Sequence, residues 1–364
     1  MIKVAALTSG QLVPSTRFRV RQYINPLQSI GIQVQEYIPN IDKNKLIPDF
    51  GKGLASQYQK PLRAMMIGAK LASRIPGILG SWNSQITWIG RELVPGRCLL
   101  EPLLKKPLVF DIDDAIWLAS ASEYSSERLY AKRVSQSISS IAKLAEVVIA
   151  GNRYLADWFA DYARDIRIIP TAIDTERFHP ELTEVRQKST RFVIGWTGSA
   201  GNLRYLKTIE APLREFMNKF AESELLIMAD KPPFFKSLPS DRVRYIPWFP
   251  ATEADVVKQM DVGLMPLPDN EWTKGKCSFK MLQYMACGIP VIVSPVGMNA
   301  EVLALGNLGI EAMNNSDWYE ALVLFFKNRE LADEYGKQGR TVAEKYFSQR
   351  VVVEEIAKVF RELS

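Results

Sequence analysis

Short runs rich in β-branched and aliphatic residues alternate with stretches of helical spacing along this chain. That alternation constrains the fold more than any other feature of the sequence. It is the pattern of parallel α/β units, in which each strand is buried on both faces and followed by a covering helix. Six strands are expected in the first half: Ile2–Leu7, Gln33–Tyr37, Ile86–Ile89, Leu108–Asp111, Val147–Ala150 and Arg167–Ile169. Six more are expected in the second: Arg191–Trp196, Glu224–Met228, Val243–Ile246, Val262–Met265, Val291–Ser294 and Leu308–Glu311. At 364 residues the chain exceeds what one ordinary core holds, so two doubly wound domains are predicted. Ligands of such sheets sit at the carboxyl ends of the strands.

Between the two runs lies Ile168–Thr190, with two prolines, turn-forming Asp and Thr and then a charged polar stretch, which is linker chemistry. The expected domains are residues 1–175 and 176–345. A last helix within 346–364, with Val351, Val352, Ile356, Val359 and Phe360 on one stripe, is a candidate to cross back to the first domain.

No run reaches the roughly 20 apolar residues of a membrane-spanning helix, and the opening MIKVAALTSG reads as a strand rather than a secretion signal. Three scattered cysteines, Cys98, Cys277 and Cys287, argue against a disulfide framework and a zinc site, which suits a reducing cytoplasm. The net charge of +6 is compatible with nucleic acid, an anionic membrane surface or a phosphorylated small molecule. Nucleic acid ranks last, because no zinc finger, basic tail or aromatic-plus-basic strand pattern is present. Around residues 50–80, Lys52, Lys60, Arg63, Lys70 and Arg74 interleave with Leu62, Met65, Met66, Ile67, Leu71 and Ile75. One reading is a surface helix with a core-facing stripe; the other is a helix lying on an anionic bilayer.

Phosphate chemistry concentrates in Asp261–Glu301. A strand ends at Met265, a loop follows, and a helix is expected to open at Ser278 as N-cap and close at Gly288. Phe279, Leu282, Met285 and Ala286 share the core face, whereas Lys280 and Gln283 fall on another, with Lys276 just ahead of the first turn. Two ammonium groups and a helix N-terminus then aim at one spot, a fit for a diphosphate. The turn Gly198-Ser199-Ala200-Gly201-Asn202, leading to Arg204 and Lys207, offers small residues and an Asn cap for the other side of a phosphate clamp. Gly297 and Asn299 would line the same place.

These segments resemble the family 4-like GT-B glycosyltransferases, in particular a branch that builds bacterial surface polysaccharides. The resemblance rests on Asp261–Glu301, on RFVIGWTGSAGNLRYLKTIE (191–210), on VVIAGNRYLADWF (147–159) with IIPTAIDTERFHP (168–180), and on WIGREL (88–93) with FDIDDAIW (110–117). It covers nearly the whole chain. It implies two Rossmann-like domains facing a cleft, and retaining, metal-independent transfer from a UDP-, dTDP- or GDP-sugar to a glycan or lipid-linked acceptor. The place would be the cytoplasm or the inner face of the membrane, with no cofactor. Lys276, Lys280, Arg204 and Lys207 would neutralise the diphosphate, with Gly198, Ser199, Asn202, Gly297 and Asn299 around it. The family's donor motif has two glutamates separated by seven residues, and this chain has Gly275 and Gln283 there. An amide at 283 would meet the ribose with a weaker hydrogen bond, and would suit a deoxyribose nucleotide.

On the acceptor side, Ser15 or Thr16 is an expected helix cap, Arg17 and Arg21 share a face, and Arg19 points elsewhere. Arg17 and Arg91 are acceptor candidates. Asp111-Ile112-Asp113-Asp114 contains the DxD pattern that holds a metal in the other glycosyltransferase fold. The phosphate-type segments lie more than 80 residues later, so Asp113 and Asp114 are read as acceptor groups, Asp111 or Asp114 alternatively as a helix cap. The one histidine, His179, sits beside a proline in the linker and is assigned no catalytic part. Two other functions fit the pattern: a sugar-nucleotide epimerase on the same fold, and a non-catalytic glycan-binding module.

Overall fold

The structure is a computed structural model, and it describes residues 1–11, 13–41, 65, 67–118, 128–180 and 191–364. Two units emerge from its contacts: Met1–Thr171 together with Val352–Ser364, and Ala172–Val351. Each is built on a six-stranded parallel sheet.

In the first unit the strands are β1 (Ile2–Leu7), β2 (Ile32–Tyr37), β3 (Ile86–Gly90), β4 (Leu108–Ile112), β5 (Val147–Ala150) and β6 (Ile166–Ile168). Their spatial order is β2-β1-β3-β4-β5-β6. Connecting helices include α1 (Pro14–Arg19), α2 (Ile24–Ser29), α3 (Ile75–Trp82), α4 (Arg128–Leu144) and α5 (Arg153–Phe159). β4 and β5 are buried at every position, which explains why they read as continuous apolar runs rather than as alternating ones. Trp88 of β3 meets Phe360 edge to face at 5.4 Å, and Phe110 meets Phe159 in the same way at 6.0 Å. Each such buried aromatic contributes on the order of 2–3 kcal/mol.

The second unit carries β7 (Phe192–Thr197), β8 (Ser223–Ala229), β9 (Val243–Pro247), β10 (Val262–Met265), β11 (Val291–Val293) and β12 (Gly309–Glu311), ordered β12-β11-β10-β7-β8-β9. Its helices include α6 (Leu203–Lys207), α7 (Glu210–Lys219), α8 (Glu253–Val257), α9 (Glu271–Lys274), α10 (Phe279–Ala286), α11 (Met298–Leu303), α12 (Asn315–Lys327) and α13 (Arg329–Val342). Phe192, Trp196, Phe216, Trp318 and Phe325 anchor one apolar core against that sheet. The final helix α14 (Gln349–Leu363) contributes its residues from Val352 onward to the first unit, where Glu362 pairs with Arg167 at 2.9 Å.

All twelve predicted strands are present, each within a residue or so of its expected bounds. The orders differ in a way that matters. In the first sheet the winding reverses between β1 and β3; in the second it reverses between β7 and β10. Loops leaving those strand pairs diverge, and the gap between them is where an open α/β sheet offers a ligand site.

Candidate donor and acceptor sites

The second unit's switch point lies between the loops that follow β7 and β10, and α10 is fixed there by its own core. Tyr284 is fully buried; its hydroxyl accepts a hydrogen bond from the Thr197 amide at 2.9 Å, at the end of β7. That clamp sets the helix beside the turn that begins at Gly198. A Cβ at Gly198 would lie 2.6 Å from Cε of Lys280 and 2.8 Å from the Trp196 ring, so glycine is what lets the lysine stem lie there. The Lys280 ammonium stands 5.6 Å from the centroid of Trp196, and Lys276 stands 5.3 Å over Trp272. The contact of an ammonium with an indole face contributes about 0.5–1 kcal/mol at such half-exposed positions.

The backbone around α10 departs from expectation. Ser278 occupies the N-cap position but in a left-handed conformation, φ 50°, and makes no capping bond. Its hydroxyl instead donates to Asn299 Oδ1 at 2.7 Å, and the Asn299 amide donates to the Ser294 carbonyl at 3.0 Å. Asn299 is fully buried by this bridge, so it ties the loop after β11 to the start of α10 with its side chain already engaged. Gly297, φ 55°, backs onto Lys274, where a Cβ would lie 2.6 Å from the carbonyl oxygen. A non-glycine residue would be strained there twice over, by its φ and by that clash.

The turn after β7 is less open to phosphate than small residues suggest. The amides of Gly198, Ala200 and Asn202 already donate to the Met228 carbonyl, to Asp230 Oδ1 at 2.5 Å and to the Ser199 carbonyl. Asn202 does not cap α6; its amide donates to the Ser199 hydroxyl at 3.0 Å. Arg204 and Lys207 are exposed on α6, and the Arg204 guanidinium lies over Tyr205. The contacts therefore gather Lys280, Gly198 and Trp196 at one point and leave the α6 cations outside that group.

Gln283 is buried, and its amide donates to Glu253 Oε1 at 2.8 Å. The same oxygen accepts from Trp248 Nε1 at 3.0 Å, while Arg177 lies 3.6 Å from Oε2. Sequence reasoning missed Glu253 because a charged turn such as TEADVV reads as solvated. The signal was its spacing: Glu253, Val256 and Val257 fall on one helical face, and all three are buried. Trp248 is a brace of this carboxylate. Gly275 closes α9, and Glu271 is exposed at its start. His179 is exposed, its ring contacting the Pro180 carbonyl and Lys258.

At the first unit's switch point lies a small pocket lined by Thr8, Ser15, Thr16, Arg19, Arg91, Asp111 and Asp113. Its charges are matched in pairs. Arg19 was expected to point away from Arg17 and Arg21; it is buried and donates to Asp111 at 2.7 Å, to the Ile169 carbonyl and to Thr171. Burial pushes the Asp111 carboxyl up from its usual range, and Arg19 pulls it back only in part. Arg91, in a left-handed conformation at φ 63°, reaches Asp113 at 2.7 Å and Asp114 at 2.5 Å. Burial alone would lower the Arg91 pKa, but the two carboxylates more than offset it and hold the guanidinium charged. Neither Asp111 nor Asp114 caps a helix by its side chain. Nor does Ser15 or Thr16: α1 opens at Val13 with Pro14 in its first turn, and the Thr16 hydroxyl accepts from the Ser9 amide. Arg17 is half-buried and stacks over Phe18.

The family model described as glycosyl transferases group 1 matches residues 191–328, which span most of the second unit. No curated protein matches the chain by sequence. Among solved structures, sucrose-phosphate synthase from Thermosynechococcus elongatus is similar over 100% of this chain and 99% of its own, with 16% identity and a TM-score of 0.70. Anabaena HepE in complex with UDP-glucose matches over the full length of both chains at 11% identity and a TM-score of 0.70. WaaG, a glycosyltransferase involved in lipopolysaccharide biosynthesis, matches over 99% of each chain at 14% identity and a TM-score of 0.66.

Proposed function

We propose that the chain is a family 4-like glycosyltransferase that transfers a sugar from a nucleoside-diphosphate sugar to a glycan or lipid-linked acceptor, a reading supported by the family-model match over residues 191–328 and by a fold shared with solved glycosyltransferase structures. The observation that carries the proposal is the position of Lys280: an ammonium laid on an indole, against a glycine, at a topological switch point. Lys280, with Lys276 at the same end of α10, would take the negative charge that grows on the departing diphosphate. Stabilising a leaving group in this way is the largest contribution a protein without a covalent intermediate can make. That HepE was solved with UDP-glucose supports a nucleotide-sugar donor for this fold.

In this reading the nucleoside sugar meets the Gln283–Glu253 pair rather than a single glutamate. The Gln283 amide donates to Glu253 Oε1 at 2.8 Å, which supports Glu253 as the carboxylate of this pair. Asp113, Asp114 and Arg91, with Arg17, form the acceptor side; an Asp113 oxygen released from Arg91 would accept the proton of the attacking hydroxyl. Transfer proceeds with retention and without a metal, in the cytoplasm, in the assembly of a bacterial polysaccharide.

A panel of UDP-, dTDP-, GDP- and ADP-sugars, read by thermal shift and then by nucleoside-diphosphate release, tests the donor class. One of the four should raise the melting temperature and be consumed slowly even without acceptor. Interconversion of the sugar with no diphosphate release would identify an epimerase, and no binding of any donor would identify a glycan-binding module. Product anomer by NMR and turnover in excess chelator test retention and metal independence.

A further inference from the structure

Gln283 is a neutral side chain that the fold has made one-ended. Only 2% of it is exposed, and its amide nitrogen donates to Glu253 Oε1 at 2.8 Å. Glu253 is itself 3% exposed and opens α8, a short helix that packs on α10. Three groups converge on its carboxyl. The Gln283 amide and the Trp248 indole N–H share Oε1, at 2.8 and 3.0 Å, and the Arg177 guanidinium stands 3.6 Å from Oε2. Arg177 is fixed in turn by the Pro250 carbonyl, in the loop between Trp248 and α8.

A primary amide has a donating end and an accepting end of nearly the same shape, so its surroundings decide which way it lies. A carboxylate that draws two N–H donors and a guanidinium accepts and does not donate. Turning the Gln283 amide over would set its carbonyl oxygen against Glu253 Oε1, acceptor on acceptor at hydrogen-bond distance. The nitrogen is therefore the held end, and the carbonyl oxygen is the end left for a ligand. Among the described residues no N–H or O–H donates to that oxygen. An acceptor on so buried a side chain calls for a donor from water or a ligand. Lys280 lies three residues earlier on α10, and side chains so spaced are neighbours on a helix, about 5–6 Å apart at Cβ. A diphosphate held at Lys280 brings its own pentose within reach of position 283.

We propose that Glu253 is a positioning residue: it holds the nitrogen of the Gln283 amide, so that position 283 offers only a carbonyl oxygen to a pentose hydroxyl of the donor nucleotide. A glutamate at 283 would accept through its charge. A pinned glutamine accepts through its orientation, and it needs a buried carboxylate to keep that orientation. The inference rests on a nucleoside-diphosphate sugar being the donor, and it adds one requirement to that reading: the group met at position 283 must donate a hydrogen.

Calorimetric titration of the full chain with UDP, dTDP, GDP and ADP tests it, each beside forms in which one pentose hydroxyl is replaced by fluorine. Fluorine matches the hydroxyl in size but has no hydrogen to donate. For the diphosphate that binds, one fluoro form should bind the wild type about tenfold more weakly, because it leaves the carbonyl oxygen unmet. In Glu253→Gln the neighbour can donate as well as accept, so the Gln283 amide is free to turn over. The preference for hydroxyl over fluorine should then fall to about threefold or less, and Gln283→Met should abolish it. Equal binding of hydroxyl and fluoro forms by the wild type would overturn the proposal while leaving the donor reading intact. A parallel loss of both forms in Glu253→Gln, with their ratio unchanged, would overturn it too, since Glu253 would then support the fold alone. So would a preference that survives Gln283→Met, because the hydroxyl would be met by another group. Binding of none of the four diphosphates would remove the donor reading itself, and this inference with it.

Discussion

The two switch points hold their cations in opposite ways. In the first unit Arg19 and Arg91 are locked into carboxylates at 2.5–2.7 Å. In the second, Lys276 and Lys280 rest on indole rings more than 5 Å from the ring centres. A guanidinium gripped by two carboxylates would lose charge-assisted bonds of roughly 1.5–3 kcal/mol each in turning to a ligand. The ring contact of an ammonium is worth about 0.5–1 kcal/mol. The first arrangement pairs its guanidiniums with carboxylates; the second brings ammonium groups onto aromatic faces.

The widest gap between the two should appear in rate. Lys280→Ala should cut nucleotide-sugar turnover by about 10²–10³ while leaving the melting temperature close to wild type, because the side chain stabilises developing charge rather than the fold. A loss of stability with unchanged turnover would mean the lysine is packing for Trp196. Next comes Gln283→Glu, which introduces the glutamate of the donor motif that this segment resembles. It would set two carboxylates face to face where 2.8 Å now separates donor from acceptor, so it should destabilise by about 3 kcal/mol and lower turnover. A more active, equally stable variant would show that Glu253 is not the group Gln283 serves. Arg91→Ala should mainly affect stability, by about 2 kcal/mol in denaturant titration, since Asp113 and Asp114 lose their shared counter-ion. An unchanged midpoint would remove the contrast between the units.

The smallest effect is a pH slope. Burial raises the Glu101 carboxyl above its usual range, with the Leu93 and Leu100 amides opposing and Glu92 adding to the rise. The folded state therefore holds a proton that the unfolded chain releases, so this group's contribution falls as pH rises from about 4.5 through the folded pKa, then levels off. Glu101→Gln cannot titrate. The melting temperature of Glu101→Gln relative to wild type should therefore climb across that window, and a flat difference would contradict the burial argument.

How far the sequence went depended on whether the signal was local. Runs such as Val147–Ala150 are buried at all four positions, and an uninterrupted β-branched run has few other uses, so the strands were legible to within a residue or so. Lys280 could be placed by helical spacing alone. Arg19 could not: its partner Asp111 is 92 residues away, and spacing only showed that it left the Arg17 face. Ser278, Asn202 and Thr16 were each read as helix caps from residue type, yet each spends its side chain on a neighbouring loop. A cap is decided by where the tertiary contacts pull the hydroxyl or amide, and propensity is blind to that. The stripe of α3 was visible as a pattern, but only the contacts of Gly77 and Gly80 show which side of it faces in: a Cβ at Gly77 would come within 2.9 Å of Leu7, and one at Gly80 would run into the Tyr37 ring. Met65, Ile67 and Ile75 are exposed rather than core-facing, and Leu62, Met66, Lys52, Lys60 and Arg63 lie outside the described residues.

Calorimetric titration of a nucleoside diphosphate and its parent nucleoside into wild type and Lys280→Ala probes the central claim most directly. The wild type should bind the diphosphate at least about tenfold more tightly than the nucleoside, the worth of one charge-assisted contact, and Lys280→Ala should erase most of that difference. Equal preference for the diphosphate in both proteins would mean that Lys280 does not hold the leaving group, and the donor site would have to be sought elsewhere in the second unit.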